Sequence, residues 1–222
     1  MSGVGTQTRR FRNRTEAGRF LAELLRDEYG GRDDVVVLAL PRGGVPVGYE
    51  VAKALGAPLD VFVVRKVGVP GHSELAMGAI ATGGVLVLDE GLVRRLGISE
   101  NEIRRAVEAE LRELERREAA YRGDRGPPQL EGKTVILVDD GLATGATMRA
   151  AALAVRKYNP ARVVVAVPVA AEQTCDEFRD DVDDIVCGVT PWPFHAVGLW
   201  YDDFSQTSDE EVRELLARAD ER

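Results

Sequence analysis

The sequence predicts an α/β protein built on a doubly wound, mostly parallel sheet. Residues 35–40 and 135–138 are continuous apolar runs, and 59–64 and 162–167 are apolar apart from Asp60 and Arg162, as strands buried on both faces require. Stretches with helical spacing lie between most of them, and strands alternating with helices build such sheets. The run 135–138 also ends in two adjacent carboxylates, Asp139 and Asp140. Ligands of these sheets sit at the carboxyl ends of the strands, so this end is the expected working edge.

Residues 1–10 read as a loose tail. Residues 15–28 set Ala17, Phe20, Leu21, Leu24 and Leu25 on one helical stripe, with Thr15 as the expected N-cap and Gly30-Gly31 as the stop. The first buried strand, 35–40, is followed by a helix over 44–55 and a second strand over 59–64. Residues 78–81 and 85–88, joined around Gly83-Gly84, read as a hairpin. Residues 99–122 form a long charged helix, opened by a Ser99–Glu102 capping box. Its apolar stripe, Ile103, Val107, Leu111 and Leu114, lasts under three heptads, which favours an insertion lying on the domain over a coiled-coil partner. A linker over 123–128 leads to the third strand, 135–138. A helix over 148–158, a fourth strand over 162–167, a short fifth strand over 184–187 and a helix over 209–219 complete the chain. A single domain over 1–222 is expected, with the hairpin and long helix as an insertion at 76–130 and a closing segment at 188–222.

A chain of 222 residues, 45% hydrophobic and 30% charged, can bury a full core and stay soluble. Its net charge of −8 argues against nucleic-acid binding, which needs clustered cations. Cys175 and Cys187 are the only cysteines; neither a disulfide framework nor a four-ligand zinc site follows, and two plain thiols are expected. No apolar run has the length of a membrane span, and the first fourteen residues carry no apolar signal core. A cytoplasmic protein without a membrane partner is therefore expected.

The stretch Asp139-Asp140-Gly141-Leu142-Ala143-Thr144-Gly145-Ala146-Thr147 joins a buried strand to a helix start. Backbone N–H groups of such a loop, with the positive helix end, can cradle a phosphate. Two carboxylates can accept hydrogen bonds from two vicinal hydroxyls. Together they suit a phosphorylated sugar. Nucleotide loops do not fit: Gly145 is followed by Ala146, no further Lys comes until Lys157, and the three-glycine dinucleotide pattern is missing.

This stretch resembles the phosphoribosyl-pyrophosphate (PRPP) motif of the type I phosphoribosyltransferases. The resemblance implies that Asp139 and Asp140 bind the ribose hydroxyls. It implies that Gly141, Ala143, Thr144, Gly145, Ala146 and Thr147 surround the 5-phosphate. Gly141 stands where that family usually has an aliphatic residue. Ala143 stands where hypoxanthine-guanine enzymes carry an acid, so the loop looks more like the adenine and orotate types. The pattern from Phe11-Arg12-Asn13-Arg14 to Trp200-Tyr201-Asp202-Asp203-Phe204 is similar to a little-characterised bacterial group of that family.

Two further strand ends carry candidates. Pro41-Arg42-Gly43-Gly44 follows the first strand; glycines allow close backbone approach, and Arg42 has a fork suited to phosphate. The resemblance assigns Arg42, Gly43 and Gly44 to pyrophosphate. Arg65-Lys66 follows the second strand, where a cation can assist a departing anion. Lys66 is the first choice, shared with pyrophosphate binding, and Arg65 the second. Residues 67–75 read as a loop that could close over the site; within it Glu74 is a candidate for proton transfer or metal ligation, and His72 is a surface residue. Near the carboxyl terminus, Trp192 or Phe194 can stack a planar base and Asp202 or Asp203 can read its edge, where the family often places a hood.

The resemblance implies transfer of the phosphoribosyl group to a nitrogen nucleophile, most simply a nucleobase, with Mg²⁺ carried by PRPP near Asp139 and Asp140. It also implies a homodimer. The rival reading is a PRPP- or nucleotide-sensing protein on the same fold without chemistry, and a third is transfer to water or another acceptor.

Overall fold

The structure is a computed structural model and describes residues 9–123 and 125–221. Most of the expected tail lies outside them. Helix α1 (Arg14–Tyr29) is followed by β1 (Val35–Ala39), α2 (Gly44–Leu55) and β2 (Leu59–Val61). Next come β3 (Val64–Val69), β4 (His72–Ala81), β5 (Val85–Leu88), α3 (Glu90–Leu96) and α4 (Glu100–Arg122). The chain then returns through β6 (Thr134–Val138), α5 (Ala146–Arg156), β7 (Arg162–Val169), α6 (Glu172–Phe178) and β8 (Asp184–Val189), and closes with α7 (Asp209–Asp220).

Five strands form a parallel sheet in the order β2-β1-β6-β7-β8. Side chains alternate across it. Val37, Ala39, Ile136, Val138, Val164 and Ala166 join a core with α1, α2, α4 and α7. Leu38, Val135, Leu137, Val163, Val165 and Val167 join a second core with α5 and α6. Burial on both faces accounts for the unbroken apolar runs. The chain moves from β1 through α2 to β2 on one side, and from β6 through α5 to β7 on the other. The direction of winding therefore reverses between neighbours β1 and β6, where doubly wound sheets bind ligands.

The run 59–64 is not one strand. β2 ends at Val61, and at Val63 the chain crosses to Thr82, whose hydroxyl accepts from Val63 N (2.8 Å). β3 then belongs to a separate antiparallel sheet, β3-β4-β5. The expected loop over 67–75 is a hairpin instead: Val69 pairs with His72 around Pro70-Gly71, and Gly71 takes a left-handed turn conformation (φ 77°). The hairpin expected around Gly83-Gly84 is present as β4 and β5. A mostly apolar run shows burial but not which sheet buries it.

The N-cap of α1 is Asn13, not Thr15. Asn13 is extended (φ −161°, ψ 179°), and its side chain accepts from Glu16 N at 3.0 Å. The Ser99–Glu102 capping box is present. At the other end of α4, Arg122 is buried and bonds Asp60 of β2 at 2.9 Å, tying the inserted helix to the sheet edge. Cys175 and Cys187, expected as separate thiols, form a disulfide joining α6 to β8; these consecutive elements lie side by side, which sequence spacing alone did not reveal. Among the described residues no helix is long and apolar enough to cross a membrane.

The segment after β8 folds back over the carboxyl ends of the strands and pairs with the amino-terminal segment. Phe11 N donates to Trp200 O (2.8 Å) and Asp202 N to Phe11 O (2.8 Å). Phe11, Ala17, Val169 and Tyr201 form a small third core beneath it.

Candidate active site

Two loops meet where the winding reverses. The β1–α2 loop holds Pro41, Arg42 and Gly43, with a cis peptide between Pro41 and Arg42. The β6–α5 loop holds Asp139 to Gly145. Ala39 pairs with Val138, and Leu40 N donates to Val138 O (2.9 Å), so the ladder runs to the base of both loops. Gly43 lies against Asp140: a Cβ there would collide with the Asp140 Oδ2 atom. No other residue type brings the two loops this close.

Each acid uses one carboxylate oxygen within the chain. Asp139 Oδ1 accepts from the Asp140 backbone N–H at 2.8 Å. Asp140 Oδ2 accepts from Arg14 Nε at 2.8 Å. The other oxygen of each makes no hydrogen bond among the described residues. Burial, and then the charge of Asp140, push the Asp139 carboxyl well above the usual carboxylate range. Burial also raises Asp140, opposed by the Arg14 guanidinium. One cation thus serves two buried acids, and a bound cation or a pair of hydroxyl donors would relieve the excess charge.

Beside the acids is a cavity of about 180 Å³ lined by Asp139, Gly141, Ala143, Thr144, Gly145 and Thr147. All of these but Asp139, which was expected on the ribose, were expected around a phosphate together with Ala146, which also lines the cavity. Val197 forms another part of the wall. A Cβ on Gly141 would collide with Val197 Cγ1 and stand 2.8 Å from Cγ2, so Gly141 admits the carboxyl-terminal segment. From below, the Thr174 hydroxyl of α6 donates to Ala143 O at 2.6 Å.

The remaining candidates are spread around these loops. Arg42 Nη1 stands 3.5 Å from Asp209 Oδ1, which also accepts from Tyr121 OH at 2.6 Å. Burial pushes the Tyr121 phenol up to about 12. Arg65 and Lys66 lie within β3, not after a strand, and successive strand residues face opposite ways. Arg65 is paired with Glu110 of α4 at 2.8 Å; Lys66 is exposed, with no ion pair among the described residues. Glu74 and His72 are exposed on β4. Trp192 is 83% exposed, Phe194 packs on the Phe11–Tyr201 core, and Asp202 pairs with Arg10 at 3.3 Å. Asp203 accepts from Ser205 N at 3.0 Å.

Three contributors had no role in the sequence reading: Arg14, Tyr201, whose hydroxyl donates to Asp140 O at 2.5 Å, and Thr174. The motif at 11–14 and the aromatic run at 200–204 were visible, but nothing in their spacing joins them to Asp140.

The family model for the phosphoribosyl transferase domain matches residues 10–203. The chain belongs to this family. The reversal of winding in its sheet carries residues 139–147, the stretch whose sequence resembles the PRPP motif. Two Mycobacterium tuberculosis proteins, Rv0571c and MT0597, are each 46% identical to this phosphoribosyltransferase domain over 209 residues, 94% of the chain; their names propose them as phosphoribosyl transferases. The chain spans about half the length of these curated relatives, 47%. The crystal structure of TT1426 from Thermus thermophilus superimposes with a TM-score of 0.84 at 43% identity, covering 94% of this chain and 98% of that one.

Proposed function

We propose that this domain transfers the 5-phosphoribosyl group of PRPP to a nitrogen nucleophile, a nucleobase, and releases pyrophosphate. The observation that carries the reading is the pair of half-used acids. Asp139 and Asp140 each keep one oxygen for a ligand at the reversal of winding, between a glycine loop and a phosphate-sized cavity. Two acceptors side by side suit the vicinal 2- and 3-hydroxyls of a ribose. The 5-phosphate takes the loop over 141–147 at the start of α5. Pyrophosphate takes Arg42, Gly43 and Gly44, with Lys66 as a further cation.

In the reaction the bond from C1 to the pyrophosphate oxygen breaks, its electrons leave with that oxygen, and the nitrogen lone pair forms the new bond to C1. Lys66 stabilises the charge that develops on the leaving group, while Arg65, on the opposite face of β3 and paired with Glu110, is left without that role. Glu74 takes part in moving the nucleophile's proton. We assign to the β3–β4 hairpin, which carries Lys66 and Glu74, the role of closing over the site to keep water from the sugar. Trp192 or Phe194 stacks the ring and Asp202 accepts its amino protons. Mg²⁺ fits the same acids, since carboxylates are hard oxygen donors, and when bound with PRPP it neutralises the leaving pyrophosphate.

Pyrophosphate release from PRPP and Mg²⁺ against a panel of purines and pyrimidines tests the transfer. PRPP binding without release for any acceptor would favour the sensing alternative. Changing Asp139 and Asp140 together to Asn is expected to abolish PRPP binding by calorimetry; retained affinity would sink the assignment. The homodimer expected from the resemblance is tested by light scattering.

A further inference from the structure

Arg14 has no part in the proposed chemistry, yet its guanidinium touches the centre of the site. It is the first residue of α1, held at that point because Asn13 caps the helix. Nε donates to Asp140 Oδ2 at 2.8 Å, and the two side chains are only 12% and 14% exposed. Nη1 donates to Ser205 O at 2.6 Å. The Phe204 ring stacks on the guanidinium, with Cζ 4.1 Å from its centre. Nε also lies 3.3 Å from where a Cβ of residue 43 would stand. Arg14 is thus enclosed by the acid loop, the glycine loop and the carboxyl-terminal segment, and all three meet through it.

We propose that Arg14 is a positioning residue for ribose recognition: by occupying Asp140 Oδ2 it turns Oδ1 toward an incoming hydroxyl. The physical reason is rotational. A free carboxylate swings about its side-chain bonds, and fixing one oxygen by a planar, charged donor fixes the other. Arg14 is itself fixed by Phe204 and Ser205. The carboxyl-terminal segment therefore sets the aim of the ribose acid without touching the sugar. This inference rests on the PRPP reading above.

The test separates the two. Calorimetry with ribose 5-phosphate and with inorganic pyrophosphate, both with Mg²⁺, is run on the wild type, Arg14→Met and Arg14→Lys, with thermal melting as the control on folding. Losing a charge-assisted hydrogen bond is expected to weaken ribose 5-phosphate by about 10- to 100-fold in Arg14→Met. Pyrophosphate affinity is expected to hold within about threefold, and Arg14→Lys, which keeps the charge but not the planar fork, to recover only part of the loss. Equal losses for both ligands, or no loss for ribose 5-phosphate, overturn the proposal. If Arg14→Met does not fold, Phe204→Leu decides. It removes the ring that holds the guanidinium, so a loss of about threefold or more is expected and an unchanged ribose 5-phosphate affinity overturns the role. A wild type that binds neither PRPP nor ribose 5-phosphate would instead remove the functional reading itself.

Discussion

Gly141 and Val197 meet across the β6–α5 loop, and one of them must be small. Valine is stiff about its first torsion, so it cannot swing aside to admit a new methyl group. Gly141→Ala is expected to push the 196–201 segment off the loop and lower PRPP affinity, since overpacking costs about 1–3 kcal/mol. Gly141→Ala with Val197→Ala is expected to recover it. Calorimetry of both variants checks the pair, and a single variant that binds normally would count against the contact. The sequence marked Gly141 as a departure from the family pattern; the structure supplies its partner. The same limit applies to Asp140. Two adjacent acids at a strand end are legible as a site, because crowded buried charge needs a ligand. Their cation, Arg14, lies 126 residues away, and no periodicity carries that far.

Among the elements, helix α6 was not expected, and it is the one that supports the 141–147 loop from beneath. Thr174 bonds Ala143 O, and the neighbouring Cys175 fixes the helix to β8. A cross-link over a loop this short stabilises by about 3 kcal/mol or less. Reduction, or Cys175→Ala with Cys187→Ala, is therefore expected to lower the melting temperature by roughly 5–10 °C; an unchanged melting curve would show that the bridge carries no stability. Short helices of seven residues, like α6 and α3, have too few turns to display a stripe. The long α4 was legible because its cap and its apolar positions agree. The run 59–64 misled because Leu59, Val61 and Phe62 are all buried while the chain changes sheet within it. Arg65 and Lys66 consequently sit inside a strand rather than beyond one.

For the whole molecule, the alternation of buried runs with helices made the fold class legible, but not the strand order, since every central strand is equally apolar. Charge is also a property of the whole. With a net charge of −8, labelled duplex DNA or RNA is expected to show no anisotropy change at about 0.15 M salt up to roughly 10 µM protein; saturable binding there would reveal a cationic face that the composition hides.

The register of β1 against β6 has a consequence for which ligands can fit. The glycine loop and the acid loop both spring from paired residues, Ala39 and Val138, one strand-to-strand step apart, or about 4.8 Å. That step is set by backbone hydrogen bonds that no side-chain substitution alters. Changes within either loop can therefore strengthen or weaken the grip on a ligand held between them, but the sheet acts as a fixed gauge for the separation of the two loops, and altering the length of ligand accepted would require a different ladder beneath them.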